Sequence, residues 1–163
     1  MIFIDFYAKI TLYKYMPHLA DNKKAFFDYK ILEKYEAGLV LLGHEVKSAK
    51  AGQISLKGSF ITFHNNKAYL TNATISKYKQ AGKLDEYDPT RSREILLHKK
   101  ELRYLQGKFA EKGLTIVPLS VYTKNRLVKI EIAVAQGKQL FDKRESIKKK
   151  DAERDMRRAM KNK

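Results

Sequence analysis

The chain contains no cysteine, which excludes disulfides, cysteine-ligated zinc and a thiol nucleophile and fits a cytoplasmic protein. Its four histidines, His18, His44, His64 and His98, form neither a close pair nor an HExxH spacing, so no histidine metal centre is expected. There is no Ser/His/Asp signature, no glycine-rich phosphate loop and no isolated carboxylate pair, so neither catalysis nor a cofactor is expected. Acidic residues are scattered or interleaved with lysine, which argues against a nuclease needing clustered metal ligands. Long apolar runs are missing too. Asp5, Lys9 and Lys14 interrupt the aromatic stretch Met1 to Tyr15 far short of the roughly 18 residues of a membrane span. That stretch also lacks the basic start and small-residue cleavage site of a signal peptide. Negative charge is in shortest supply. Eighteen acidic residues face 34 basic ones, a net charge of +16, which points to a phosphate polymer as partner; the alternative is lysine serving only solubility.

With 163 residues, 44% of them apolar, the chain has length for one cored domain plus tails. Residues 1–20 read as an N-terminal extension, the first 15 lying upstream of the working domain or added as an arm. Residues 21–136 read as the body and 137–163 as a basic tail. Within the body, GLVLLGHEVKSAKAG (Gly38 to Gly52) organises the rest. Leu39 to Leu42 has the pattern of a strand buried on both faces. Gly43 breaks it, and a short helix is expected from His44, with Val46 and Ala49 inward, Glu45, Lys47 and Lys50 on other faces, and Gly52 as a left-handed cap.

Before that stretch, Asp21 to Lys24 reads as loop and Ala25 to Leu42 as extended chain, with a bend near Glu36-Ala37-Gly38. After it, Ser59 to His64 and Lys67 to Ile75 form a hairpin about Asn65-Asn66. Tyr78 to Ser92, with Gly82 and Asp88-Pro89, reads as a mobile surface loop. A helix is expected over Ile95 to Phe109, on a stripe of Ile95, Leu102 and Leu105 widened by Leu96, Leu97 and Phe109. Arg91, Arg93, Lys99, Lys100 and Arg103 surround its start and outer face. Gly113 turns the chain into a strand, Leu114 to Tyr122, whose Pro118 implies an edge or bulge. A second hairpin turns at Asn125-Arg126 into Leu127 to Ala135, with Val128, Ile130, Ile132 and Val134 inward. The sum is a mainly β fold with short helices, an OB-like small antiparallel β-barrel with flanking helices and a basic C-terminal tail.

The tail holds eleven basic residues against five acidic ones, with Ile147, Met156 and Met160 the only sizeable apolar side chains after Phe141. Such a segment cannot build a core and is expected to be disordered alone, turning helical against RNA. Asp142 and Glu145 resemble a capping box. The competing reading is a solubilising tail. A membrane-surface role lacks the Trp, Phe and Leu face such helices use.

Five successive segments, NKKAFFDY (Asn22 to Tyr29), YEAGLVLLGHEVKS (Tyr35 to Ser48), DPTRSREILLHKKEL (Asp88 to Leu102), GLTIVPLSVYTKN (Gly113 to Asn125) and GKQLFDKR (Gly137 to Arg144), resemble in order the motifs of the SsrA-binding protein family, small protein B. The resemblance implies a non-enzymatic OB-like barrel that binds the tRNA-like domain of transfer-messenger RNA. With elongation factor Tu, reached indirectly through the charged RNA, it would bring that RNA to stalled ribosomes for trans-translation. It further implies RNA contacts at Glu36, Leu96 and His98, and ribosome contacts in the mRNA channel and decoding centre for Asp142, Lys143 and Arg144.

To these the sequence adds Lys23, Lys24, Lys47, Lys50, Arg91, Arg93, Lys99 and Lys100 as RNA-facing cations. Gly137, Lys138, Lys148, Lys149 and Lys150 join the ribosome-facing set. Phe26-Phe27 stands where members often carry Arg-His, so Phe27 offers base stacking in place of a histidine contact. Ala152 stands where tryptophan is common. A generic OB-type RNA-binding or ribosomal protein is the alternative.

Overall fold

The computed structural model describes residues 18–78, 80 and 86–161; the expected extension over residues 1–15 lies outside them. In chain order the elements are β1 (His18–Asp21), α1 (Lys23–Asp28), β2 (Tyr29–Leu39), α2 (Gly43–Lys50), β3 (Ile54–Ser55), β4 (Phe60–His64) and β5 (Lys67–Thr71). Then come β6 (Thr74–Ile75), β7 (Arg93–Leu96), α3 (Lys99–Ala110), β8 (Leu114–Lys124), β9 (Leu127–Gly137) and α4 (Leu140–Lys161). Seven strands form one antiparallel sheet in the order β1-β8-β9-β2-β7-β5-β4, and β3 pairs with β6 in a small second sheet. Among the described residues, edge strands β1 and β4 are not hydrogen-bonded to each other. No helix there is long and apolar enough to cross a membrane.

β9 shows why the sheet folds as it does. Val128, Ile130, Ile132 and Val134 join the main core with Ile61, Leu70, Ile95 and Leu105. Ala133 and Ala135 face the other way, where with Val117 and Leu119 they form a second, smaller core closed by Ala25 of α1. Small side chains let a short helix lie close against the sheet.

Both hairpin turns are as expected. Asn65 and Asn66 have φ of 48° and 56°, and Asn125 and Arg126 have 50° and 66°, the double positive φ of a type I′ turn. Pro118 stands at the start of a register shift between β8 and β9, so it marks a bulge on a strand flanked on both sides. Gly52 carries the positive φ, 77°, expected just past α2.

Several boundaries differ, each for a local reason. The limit placed after residue 20 falls inside β1, which pairs with β8. Residues 25–28, expected to be extended, belong to α1, because the Asn22 side chain accepts from the Ala25 N–H at 3.1 Å and its amide donates to the Pro118 carbonyl at 3.0 Å. The irregularity in β2 lies between Ile31 and Glu33 rather than at 36–38. Gly38 serves another purpose: a β-carbon there would meet that of Leu96 at 3.3 Å.

The doubly buried strand over Leu39 to Leu42 is not formed. β2 stops at Leu39, and Val40 and Leu42 are 43% and 49% exposed. Glu45 accepts from the Leu42 N–H at 2.8 Å and starts α2 at Gly43. The strand expected over 67–75 is split at Asn72, whose φ is 59°. The helix expected from Ile95 begins at Lys99 instead. Arg93 and Ile95 point inward while Leu96 points out, an alternation that a four-residue strand shares with part of a helical stripe.

Candidate nucleic-acid interface

β2 and β9 pair along almost their whole length, from Tyr29 opposite Gly137 to Gly38 opposite Lys129. At about 3.3 Å per residue the ribbon separates its two ends by roughly 25–30 Å. Most of the residues expected to touch RNA sort onto these ends.

At the Gly38 end, an open groove of about 500 Å³ is lined by Glu36, Gly38, Leu96, His98, Arg126 and Lys129, among others. β2 supplies Glu36, β7 supplies Leu96, and His98 is the exposed residue capping α3. Leu96 is 56% exposed because Gly38 has no side chain to cover it. The three side chains that the family resemblance implied, dispersed over more than sixty positions of sequence, thus meet in one cleft.

Glu36 accepts from the Tyr122 hydroxyl at 2.6 Å and from Lys124 Nζ at 2.9 and 3.0 Å. The Tyr122 bond and then Lys124 hold its carboxyl below the ordinary value, against an opposing effect of burial. Glu36 therefore enters any ligand contact as an anion able only to accept. Tyr122→Phe is expected to raise the Glu36 pKa toward its ordinary value, read by carboxyl NMR titration, while lowering stability by about 1 kcal/mol.

Lys50 joins the groove through its neighbour: its Nζ donates to the Arg126 carbonyl at 3.3 Å. Lys47, exposed on α2, lies 5.9 Å from the Tyr78 ring centroid. Lys99 and Lys100 are exposed in the first turn of α3, beside His98 on the groove wall.

One expected contact, that of Arg93, requires correction, and its neighbour Arg91 is tied to the same partner. Arg93 is 0% exposed and cannot reach RNA in this fold. Its guanidinium donates to Glu45 at 3.0 Å and to the carbonyls of Ala73, Arg91 and Pro89 at 2.7, 3.0 and 2.9 Å. Arg91 is partly exposed, yet its Nε donates to Glu45 at 2.9 Å and its Nη2 forms a second, short bond to the same carboxylate. Tyr87 also donates to Glu45, at 3.1 Å. Glu45, placed by its sequence on an outer helix face, is fully buried. Both arginines therefore serve the fold by pinning residues 87–93 to α2.

At the Tyr29 end, α1 exposes Lys23, Lys24, Phe26 and Phe27, the two rings being 46% and 37% accessible. The root of the tail is fastened here. The Lys138 N–H donates to the Asp28 carbonyl at 2.9 Å and its Nζ to the Phe26 carbonyl at 3.2 Å. Gly137 closes β9 opposite Tyr29. Asp142 accepts from the Gln139 N–H at 3.2 Å, so it is the third residue of α4 rather than its cap. Lys143, Arg144, Lys148, Lys149 and Lys150 follow on the same helix backbone, their side chains outside the described ones. Ile147, Met156 and Met160 are 45%, 62% and 72% exposed.

The family model described as SmpB protein matches residues 19–162. The chain belongs to the SmpB family. Relatives named SsrA-binding protein support this. That of a Sulfurihydrogenibium species is 54% identical over 145 residues, covering 89% of this chain and 95% of the relative. That of Ligilactobacillus salivarius is 51% identical over 144 residues, covering 88% and 92%, and that of Trichodesmium erythraeum 50% over 143, again 88% and 92%. A solved SmpB structure described as "tmRNA-SmpB: a journey to the center of the bacterial ribosome" aligns with a TM-score of 0.62 at 46% identity, covering 74% of this chain and 84% of its own.

Proposed function

We propose that this SmpB-family chain binds the tRNA-like domain of transfer-messenger RNA and helps deliver it to stalled ribosomes, supporting trans-translation, ribosome rescue and tagging of incomplete peptides. The carrying observation is the convergence of Glu36, Leu96 and His98 on one open groove rimmed by Arg126, Lys129 and Lys50, in a chain of net charge +16. Phosphate neutralisation supplies affinity through counterion release. Glu36 accepts from a base amino group or a ribose 2′-hydroxyl, and Leu96 packs on the exposed sugar or base face.

In this reading the body is an OB-like barrel, its open side covered by the helices, and acts as a non-enzymatic cytoplasmic adaptor without a cofactor. The other end of the ribbon serves the ribosome. Phe27 stacks on a ribosomal base, and α4 enters the empty mRNA channel with Asp142, Lys143 and Arg144 near the decoding centre. An isolated helix so rich in like charge is marginal in water, so the tail is disordered alone and is held helical by RNA phosphates. Elongation factor Tu joins indirectly, through the charged RNA. Residues before the body act as an extension.

The test is binding to the tRNA-like domain with its elbow intact, compared with unrelated duplex RNA at matched salt. A preference of at least tenfold, reduced by Leu96→Ala, is expected. Equal affinity for both RNAs would favour a generic RNA-binding module.

A further inference from the structure

The turn between β8 and β9 carries an unusual residue for its backbone. A type I′ turn demands positive φ at both central positions, and glycine is the usual solution at the second. The β4–β5 turn meets the demand with asparagines, which tolerate the left-handed region. At the β8–β9 turn Asn125 does so at the first position, but the second is Arg126, held at φ 66°. A long side chain gains nothing locally there, and left-handed strain at a non-glycine residue persists where the surroundings or a function require it.

Four observations indicate what the strain serves. Arg126 lines the same groove as Glu36, Leu96 and His98. It is exposed and forms no ion pair with any described carboxylate. Its carbonyl is the acceptor for Lys50 Nζ, so the turn gathers a second cation from α2. Leu127, the next residue, is 61% exposed on the same rim. We infer that the β8–β9 hairpin tip is part of the RNA-binding site, with the Arg126 guanidinium gripping a backbone phosphate of the RNA seated in the groove. This rests on the RNA-binding reading and extends it to a residue that the sequence presents only as turn. A planar guanidinium presents two parallel donors to a phosphate, which lysine cannot.

The experiment compares the parent chain with Arg126→Gly, Arg126→Lys and Leu96→Ala, using a transcript of the tRNA-like domain over a salt series. Glycine relieves the left-handed strain and keeps the carbonyl that holds Lys50. Arg126→Gly is therefore expected to raise Tm by about 3 °C while weakening binding roughly fivefold and reducing the salt slope by about one. Arg126→Lys should retain the slope and lose part of the affinity. Unchanged affinity and slope in Arg126→Gly, with Leu96→Ala still impaired, would overturn the inference and leave the groove reading standing. So would a joint fall of Tm and affinity, since the arginine would then be serving the turn. A parent chain without preference for the transcript would remove the groove reading, and this inference with it.

Discussion

Glu45→Ala is expected to destabilise the body by about 3–5 kcal/mol, because it leaves a buried guanidinium without its counter-charge. Arg93 has no access to water, and two of its remaining bonds run to Ala73 and Pro89 carbonyls, which neutralise nothing. Against a total stability on the order of 5–15 kcal/mol, that loss brings the chain near unfolding at 37 °C, read by urea denaturation. Glu45→Gln keeps the volume and several hydrogen bonds and should cost less.

The same carboxylate gives the fold an acid limit. Burial alone would raise the Glu45 pKa, but the Arg91 hydrogen bonds, the Leu42 N–H and the charge of Arg93 outweigh it and lower the value to about 2. The folded value is thus below the roughly 4.3 of an unfolded glutamate. Its contribution to stability is fully present above that unfolded value and drains away as pH falls toward about 2. The parent's stability should therefore decline across that window, and Glu45→Gln should flatten the decline. An unchanged slope in the variant would show that other carboxylates set the acid response.

Ending the chain after Gln139 is expected to leave binding of the tRNA-like domain within about twofold of the parent, while peptide tagging on stalled ribosomes falls to background. Among the described side chains, none from α4 belongs to either core. The cut preserves β9 through Gly137 and the Lys138 bonds to α1. The groove lies at the far end of the ribbon, roughly 25–30 Å away, beyond the few-ångström reach of the contacts removed. The loss on the RNA side is then confined to long-range attraction, which salt screens within about 8–10 Å. A truncated chain that lost both activities together would show that the two ends do not act separately.

What the sequence disclosed and what it concealed follow from the range of the interactions involved. Asn65-Asn66 and Asn125-Arg126 were legible as turns because the constraint sits in the turn residues themselves. β9 was legible because its alternation is repeated four times without interruption. Arg93-Glu94-Ile95-Leu96 was not, since four residues cannot distinguish a strand from the start of an apolar stripe. Glu45 and Arg93 were concealed for a different reason: a buried ion pair between residues 48 positions apart leaves no periodic trace, and charged residues are ordinarily read as surface. The groove combines both cases. Glu36, Leu96 and His98 entered through motif resemblance, whereas Arg126 and Lys129, its other lining cations, entered only when β8, β9 and β2 were seen side by side.

The fastening of Lys138 to the Asp28 and Phe26 carbonyls sets the launch angle of the arm before any partner is met. Searching for its destination then costs orientational freedom only beyond that anchor, and a displacement of α1 by whatever docks on Phe26 and Phe27 would swing the arm like a tiller.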